Sequence, residues 1–263
     1  LQKAKDCYEK AIELNPNYDD AHNNLGVIFK EAGDLQKAKD CYEKAIELNP
    51  NHSVAHNNLG GIFQKLGENQ KAKDCYEKAI KINPNYAVAH YNLGNIYYNL
   101  GENEKAKECY EKAIELNPNY AEAYNNLGVI FKELKENQKA KEYFEKAIEL
   151  NPNYAEAYNN LGNIYKELGD LQKTKECYEK AIEINPNYAE AYNNLGVIFK
   201  ELKENQKAKD CYKKAIELNP NYDDAHNNLG IVFQRLRENQ KAKECYEKAI
   251  ELNPNYTEAF NNL

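Results

Sequence analysis

Residues 121–154 read AEAYNNLGVIFKELKENQKAKEYFEKAIELNPNY, and nearly the same 34 letters return at 189–222. The two copies differ only at Glu142/Asp210, Tyr143/Cys211, Phe144/Tyr212 and Glu145/Lys213. Outward from this pair the same spacing governs the chain, with Pro16, Pro50, Pro84, Pro118, Pro152, Pro186, Pro220 and Pro254 as its clearest marks. A period of this size signals a repeat architecture, in which a unit too small to bury its own apolar face is covered by its neighbours. Seven whole units fit as 19–52, 53–86, 87–120, 121–154, 155–188, 189–222 and 223–256. The second half of a unit precedes them at 1–18, and the opening of another follows at 257–263.

The spacing predicts two helices per unit. In the first whole unit Ala21, Leu25, Ile28 and Phe29 fall at helical offsets. Gly33 then suits a left-handed cap at the helix end. Ala38, Cys41, Tyr42, Ala45, Ile46 and Leu48 repeat the stripe until Asn49-Pro50 stops it. Pairs such as Asp40 with Lys44 and Glu142 with Lys146 are expected on the exposed side, four residues apart. Before the second helix, Asp34 and Asp170 are expected N-caps. Where the junction reads Glu68-Asn69, Glu102-Asn103, Glu136-Asn137, Glu204-Asn205 or Glu238-Asn239, the Asn is expected to cap one residue later. The turn residues Gly33, Gly67, Gly101 and Gly169 give way to Lys135, Lys203 and Arg237, which should be strained if they take positive φ.

Composition narrows the function. With 35 Lys+Arg against 42 Asp+Glu, the net charge of −7 disfavours nucleic acid as a partner. No apolar run is long enough for a membrane span, and no signal peptide opens the chain. The absence of Met predicts a piece of a longer chain. Cys7, Cys41, Cys75, Cys109, Cys177, Cys211 and Cys245 recur with the repeat, and Tyr143 fills the one gap. Equivalent residues on helices packed about 8–10 Å apart lie beyond the ~7 Å reach of a disulfide. Free, half-buried thiols in an intracellular protein (cytoplasmic or nuclear) are therefore expected. His22, His56 and His90 stand one repeat apart and cannot converge on one ion. They are expected to be packing residues, and no metal, cofactor or catalytic set is expected.

Tyr124, Leu127-Gly128, Phe131, Ala140, Phe144, Ala147 and Pro152, matched in every unit, resemble the tetratricopeptide repeat pattern over the whole chain. The usual Trp is replaced by His22, His56, His90 and His226 or by Tyr124, Tyr158, Tyr192 and Phe260. The resemblance implies an all-α solenoid of antiparallel helix pairs, a right-handed superhelix whose first helices line a concave groove. Members that clamp a chaperone's C-terminal carboxylate carry Lys and Arg on those helices. Here the places hold Asn23, Asn57 and Asn125, and Asp20, Glu122, Glu156 and Glu190, which would repel the anion.

One row never varies: Asn24, Asn58, Asn92, Asn126, Asn160, Asn194, Asn228 and Asn262. Asn neither favours helices nor belongs in a core. Two readings stand. Its amides could fix the stacking of units, or they could present a donor and an acceptor per repeat to the main chain of an extended peptide. The row is similar to the asparagines in the repeat region of O-linked N-acetylglucosamine transferase. Beside it the groove face is expected to include Asn23, Asn57, Tyr91, Asn125, Asn159, Asn193 and Asn227, with Lys132, Lys166 and Lys200 at its tips and Tyr91 and Tyr98 as aromatic contacts. The expected function is a protein-interaction scaffold that binds a peptide or protein segment and is not an enzyme. The alternatives are the substrate-recognition arm of a glycosyltransferase and a structural spacer. Uncovered apolar stripes at Leu1, Ala4, Tyr8 and Ala11 and at Ala259, Phe260 and Leu263 predict end-to-end self-association.

Overall fold

A computed structural model describes residues 1–263, all of them helix or short turn. Its contacts divide the chain into two units, residues 1–130 and 131–263. The first holds α1 (Gln2–Leu14), α2 (Asp19–Glu31), α3 (Leu35–Leu48), α4 (Ser53–Lys65), α5 (Asn69–Ile82), α6 (Ala87–Asn99) and α7 (Asn103–Leu116), and the division falls within α8 (Ala121–Glu133). The second holds α9 (Asn137–Leu150), α10 (Ala155–Glu167), α11 (Leu171–Ile184), α12 (Ala189–Glu201), α13 (Asn205–Leu218), α14 (Asp223–Arg235), α15 (Asn239–Leu252) and α16 (Thr257–Asn262). Within each unit every helix packs on the next, and first helices also meet, as α2 with α4 and α12 with α14 do. Loops of three or four residues force consecutive packed helices to run antiparallel. This is the all-α solenoid of helix pairs that the period implies.

Six helix pairs close on a tyrosine of the second helix, and α9 carries the fully buried Phe144 in that place. Tyr42, Tyr76, Tyr178 and Tyr212 are fully buried on second helices, beside Ile62, Phe63, Ile96, Ile198, Phe199 and Phe233. The ring lies flat on a glycine of the first helix. A Cβ on Gly60 would stand 2.7 Å from Tyr76 Cε1, and one on Gly162 would stand 2.6 Å from Tyr178 Cε1. No side chain fits there, so the helices approach backbone to ring. At the one place where Tyr143 replaces Cys, its ring stacks on Phe131 with centroids 5.1 Å apart. All seven cysteines are free, and burial pushes the thiols of Cys41, Cys75, Cys109 and Cys245 up to about 11, which makes them poor nucleophiles.

The turns follow the sequence closely, with one exception. Helices α3 and α5 end where Asn49 and Asn83 are held extended before proline, and the Asn side-chain Oδ1 accepts the N–H two residues on, at 3.1 Å in both. The turn glycines take positive φ, and so do Lys135, Lys203 and Arg237 at 61–63°. Asp34 and Asp170 cap α3 and α11, each accepting from the N–H three residues on at 3.1 Å. The exception is the Glu-Asn junction. There Glu68, Glu136, Glu204 and Glu238 occupy the N-cap position without a side-chain cap, and the following Asn is already the first helical residue. The longer glutamate instead reaches the lysine three residues on, as in Glu68–Lys71 and Glu204–Lys207. The expected Asp40–Lys44 pairing is also displaced. Gln36 donates to Asp40 at 2.7 Å, and Lys44 turns to Glu47 at 3.0 Å.

Two substitutions test these features. Gly162→Ala should lower stability by ~1–3 kcal/mol through the clash with Tyr178. Lys203→Gly should raise it by about 1 kcal/mol by releasing the left-handed residue. Urea denaturation of the full chain followed by circular dichroism measures both; equal and opposite signs to these would refute the two assignments.

Candidate functional site

The recurring asparagine row runs along the first helices, half-exposed at Asn24, Asn58, Asn92, Asn126, Asn160, Asn194, Asn228 and Asn262. Its neighbour row does not share that exposure. Asn23, Asn57, Asn125, Asn159, Asn193 and Asn227 are buried, with Asn125 and Asn159 at 0%. Their carboxamides are taken up in stacking rather than left open along the groove, although Asn57 and Asn193 still reach the floors of the clefts described below. Asn58 donates Nδ2–H to Asn23 Oδ1 at 3.0 Å, and Asn92 donates to Asn57 Oδ1 at 3.0 Å. Asn194, Asn228 and Asn262 do the same to Asn159, Asn193 and Asn227 at 3.1, 3.3 and 3.1 Å. Each bond joins one repeat to the one before it, which satisfies a carboxamide that burial would otherwise leave costly. Where Tyr91 replaces the buried Asn, Asn126 turns to Asn95 Oδ1 at 2.9 Å. Tyr91 itself packs against Tyr110 and Tyr120, with centroids 5.8 and 4.7 Å away.

The stacking role leaves capacity unused. Asn58, Asn92, Asn194 and Asn262 each donate one N–H to the preceding repeat, although a carboxamide holds two N–H groups and an accepting oxygen. In residues 1–130 the row opens on a cleft of about 420 Å³ lined by Lys30, Asn58, Gly61, Gln64 and Asn92 among others. In residues 131–263 a cleft of about 440 Å³ brings Lys132, Lys166 and Asn194 together with Glu190, Asp224 and Tyr222. Lys200 is half-buried and donates to Asn228 Oδ1 at 2.8 Å. Burial, and then the charge of Arg235, hold its ammonium below the ordinary lysine value. Tyr98 is half-exposed on α6. The histidines are engaged locally: the Nε2 atoms of His22, His56 and His226 meet the carbonyls of Pro16, Pro50 and Pro220 at 3.1 Å. A carbonyl only accepts, so each ring donates there and holds the loop to its helix.

Two features escaped the sequence reading. One is that Glu190 and Asp224, members of an acidic row recurring at the start of the first helices, share one cleft with Lys132 and Lys166. The other is how the core tyrosine hydroxyls are satisfied. Tyr76 donates to Gln64 Oε1 at 2.9 Å, and Tyr110 and Tyr178 donate to Asn95 and Asn163 Oδ1 at 2.7 Å. Tyr42 and Tyr212 have no partner, because the same places hold Val27 and Lys30 or Val197 and Lys200, which offer no acceptor.

The tetratricopeptide repeat family matches residues 19–52, 121–154, 155–188, 189–222 and 223–256. Further matches to TPR repeats cover 1–33, 61–101 and 94–135, and 41–74. The chain belongs to the tetratricopeptide repeat family, whose members serve generally as protein-interaction scaffolds. No curated protein matches it. Among solved structures it is similar to the APC/C hetero-tetramer Cut9-Hcn1, with a TM-score of 0.81 and 19% identity over 97% of this chain and 51% of that one. The chain thus spans about half the length of that relative. PilF of Pseudomonas aeruginosa is similar with a TM-score of 0.73 and 22% identity over 80% of this chain and 95% of that one. Both likenesses concern the fold alone. YrrB, described as a TPR protein with an unusual peptide-binding site, has a TM-score of 0.56 and 26% identity over 72% of this chain and 97% of its own.

No helix is long and apolar enough to cross a membrane. The hydroxyl pattern yields a paired test. Tyr178→Phe should destabilise by about 1 kcal/mol, the worth of a buried hydrogen bond. Tyr212→Phe should be neutral or stabilising by ~1 kcal/mol, since it removes an unpaired buried hydroxyl. Thermal denaturation of the two variants decides, and identical losses would contradict the assignment.

Proposed function

We propose that the protein is an interaction scaffold whose asparagine row holds the main chain of an extended peptide or protein segment. The observation that carries this reading is the unused half of the carboxamides of Asn58, Asn92 and Asn194. Asn58, Asn92 and Asn194 line open clefts, are fixed in orientation by the bond to the preceding repeat, and keep a second N–H and an oxygen free of that bond. A donor and acceptor held rigid in this way lose little freedom on binding. A peptide backbone offers the matching acceptor and donor at every residue. The peptide-binding site described for YrrB gives precedent for a peptide on a fold of this kind. Lys132, Lys166 and Lys200, with Tyr91 and Tyr98, would then act on side chains rather than on the main chain. The reading as the arm of a glycosyltransferase, suggested by the similarity of the row to that enzyme's repeat region, uses the same contacts and adds a catalytic domain. The scaffold reading stands without one.

The test begins with peptides selected from a random phage-displayed library on the full chain. Methylating alternate backbone nitrogens of a selected peptide should weaken its binding roughly tenfold or more, about 1.4 kcal/mol. Asn160→Ala with Asn194→Ala should do the same, with the melting temperature recorded alongside because Asn194 also bonds Asn159. Affinity that ignores backbone methylation but collapses on side-chain changes would overturn the reading.

A further inference from the structure

The cleft of residues 131–263 has two charged edges. Lys132, Lys166 and Lys200 stand near the ends of first helices, and Glu156, Glu190, Asp224 and Glu258 stand near their starts. Within one helix, as from Glu156 to Lys166, ten residues at 1.5 Å each separate the edges by about 15 Å, and the asparagine row lies between. Lys132 and Lys166 share one cleft with Glu190 and Asp224 over a floor of Asn163, Asn193 and Asn194. The ion pairs of this unit lie elsewhere, as in Lys146–Glu149 and Lys180–Glu183 on second helices. The acids are instead held in place by neutral donors: Asn159 donates to Glu190 at 2.9 Å, and Tyr256 donates to Asp224 at 2.5 Å. The acidic edge gathers like charge, while at the other edge Glu167 also lines the cleft beside Lys166 and accepts from Asn137 at 2.8 Å. Burial, then the Glu190 charge, raises the Glu156 carboxyl, and Arg235 adds to the lowering at Lys200.

We infer that this cleft takes an extended peptide segment carrying basic side chains along one edge and acidic side chains along the other. The inference rests on the scaffold reading above and names the partner chemistry it left open. Opposite charges on both edges would relieve the like-charge repulsion within each row and fix the direction of the segment. The geometry suits a polyproline II backbone, which advances about 9.3 Å per three-residue turn against first helices packed about 8–10 Å apart. One residue of each turn would face the asparagine floor, and one would face each edge. The charge is denser in this unit than in residues 1–130, where Asp20, Glu122 and Lys30 keep it. In residues 1–130 the acidic places include Val54 and Val88, and the cationic places include Gln64 and Tyr98.

The probe is a fluorescently labelled peptide of four Pro-Lys-Glu triplets, about 37 Å long as polyproline II, titrated with the full chain and read by anisotropy. Four triplets of Pro-Lys-Lys and of Pro-Glu-Glu are the comparisons. The mixed peptide should bind roughly tenfold or more tighter than either, even though the net charge of −7 favours the all-lysine peptide. Lys132→Glu with Lys166→Glu should weaken it, and so should Glu156→Lys with Glu190→Lys. Combining all four should restore affinity, because the peptide can lie in the opposite direction. The comparison of peptides on the unaltered chain decides the matter if a variant fails to fold. Equal binding of all three peptides, or tightest binding by a single-sign peptide, overturns the charge inference and leaves the scaffold reading standing. Failure of all three while library-selected peptides bind overturns the inference alone. Failure of every peptide, selected ones included, overturns both.

Discussion

A tyrosine ring resting on bare helix backbone sets the distance at which the two helices of a repeat can pack. At Gly26, Gly60, Gly94, Gly162, Gly196 and Gly230 the ring carbons stand where a Cβ would be, 2.4–2.7 Å from it at the nearest. Such an approach admits no other residue without moving a ring that is itself enclosed on all sides. Because the glycine lies on the first helix and the ring on the second, the contact fixes both the separation and the rotation of the pair. Rotation decides which face of the first helix is left outward. The asparagine row therefore owes its alignment to a contact on the opposite side of the same helix.

Between repeats the constraint passes to hydrogen bonds. The buried Asn of one repeat accepts from the half-exposed Asn of the next, so each carboxamide row does a separate task and neither could be replaced by the other. The stacking reading of the row is the one these bonds show. One N–H is engaged in the stack, and that same bond orients the remainder of the amide toward the cleft. Fixed orientation of the remaining N–H and oxygen is then a by-product of assembly. The charged edges differ, since Lys166 and Glu190 vary in kind among repeats while the asparagines do not.

The period, the helix pairs, the proline stops and even the strained turns at Lys135, Lys203 and Arg237 were legible in the sequence, because each depends on residues close together along the chain. What was not legible depended on which of two adjacent residues faces inward. Asn23 and Asn24 are the same amino acid, and only packing distinguishes the buried one from the half-exposed one. The Glu-Asn junction misled for a related reason. Asn is the better cap in isolation, but the helix begins at that Asn and the glutamate before it is drawn to a lysine one turn on. The acidic row was visible as a recurrence, yet that Glu190 and Asp224 share a cleft with Lys132 and Lys166 was not.

The turns at Lys135, Lys203 and Arg237 also bear on how the chain meets a protease. Each of these residues is exposed, basic and held in a left-handed conformation, in a turn between two helices of one repeat. Their counterparts Gly33, Gly67, Gly101 and Gly169 offer no basic side chain at that position. Enzymes that cleave after Lys or Arg thus find their most accessible bonds at three defined turns rather than at every repeat. A nick there separates a first helix from its own second helix in sequence, while at Tyr212 and Tyr246 the ring still rests on Gly196 and Gly230. Cleavage at these two turns would leave an assembly cut in its chain but held together by its rings.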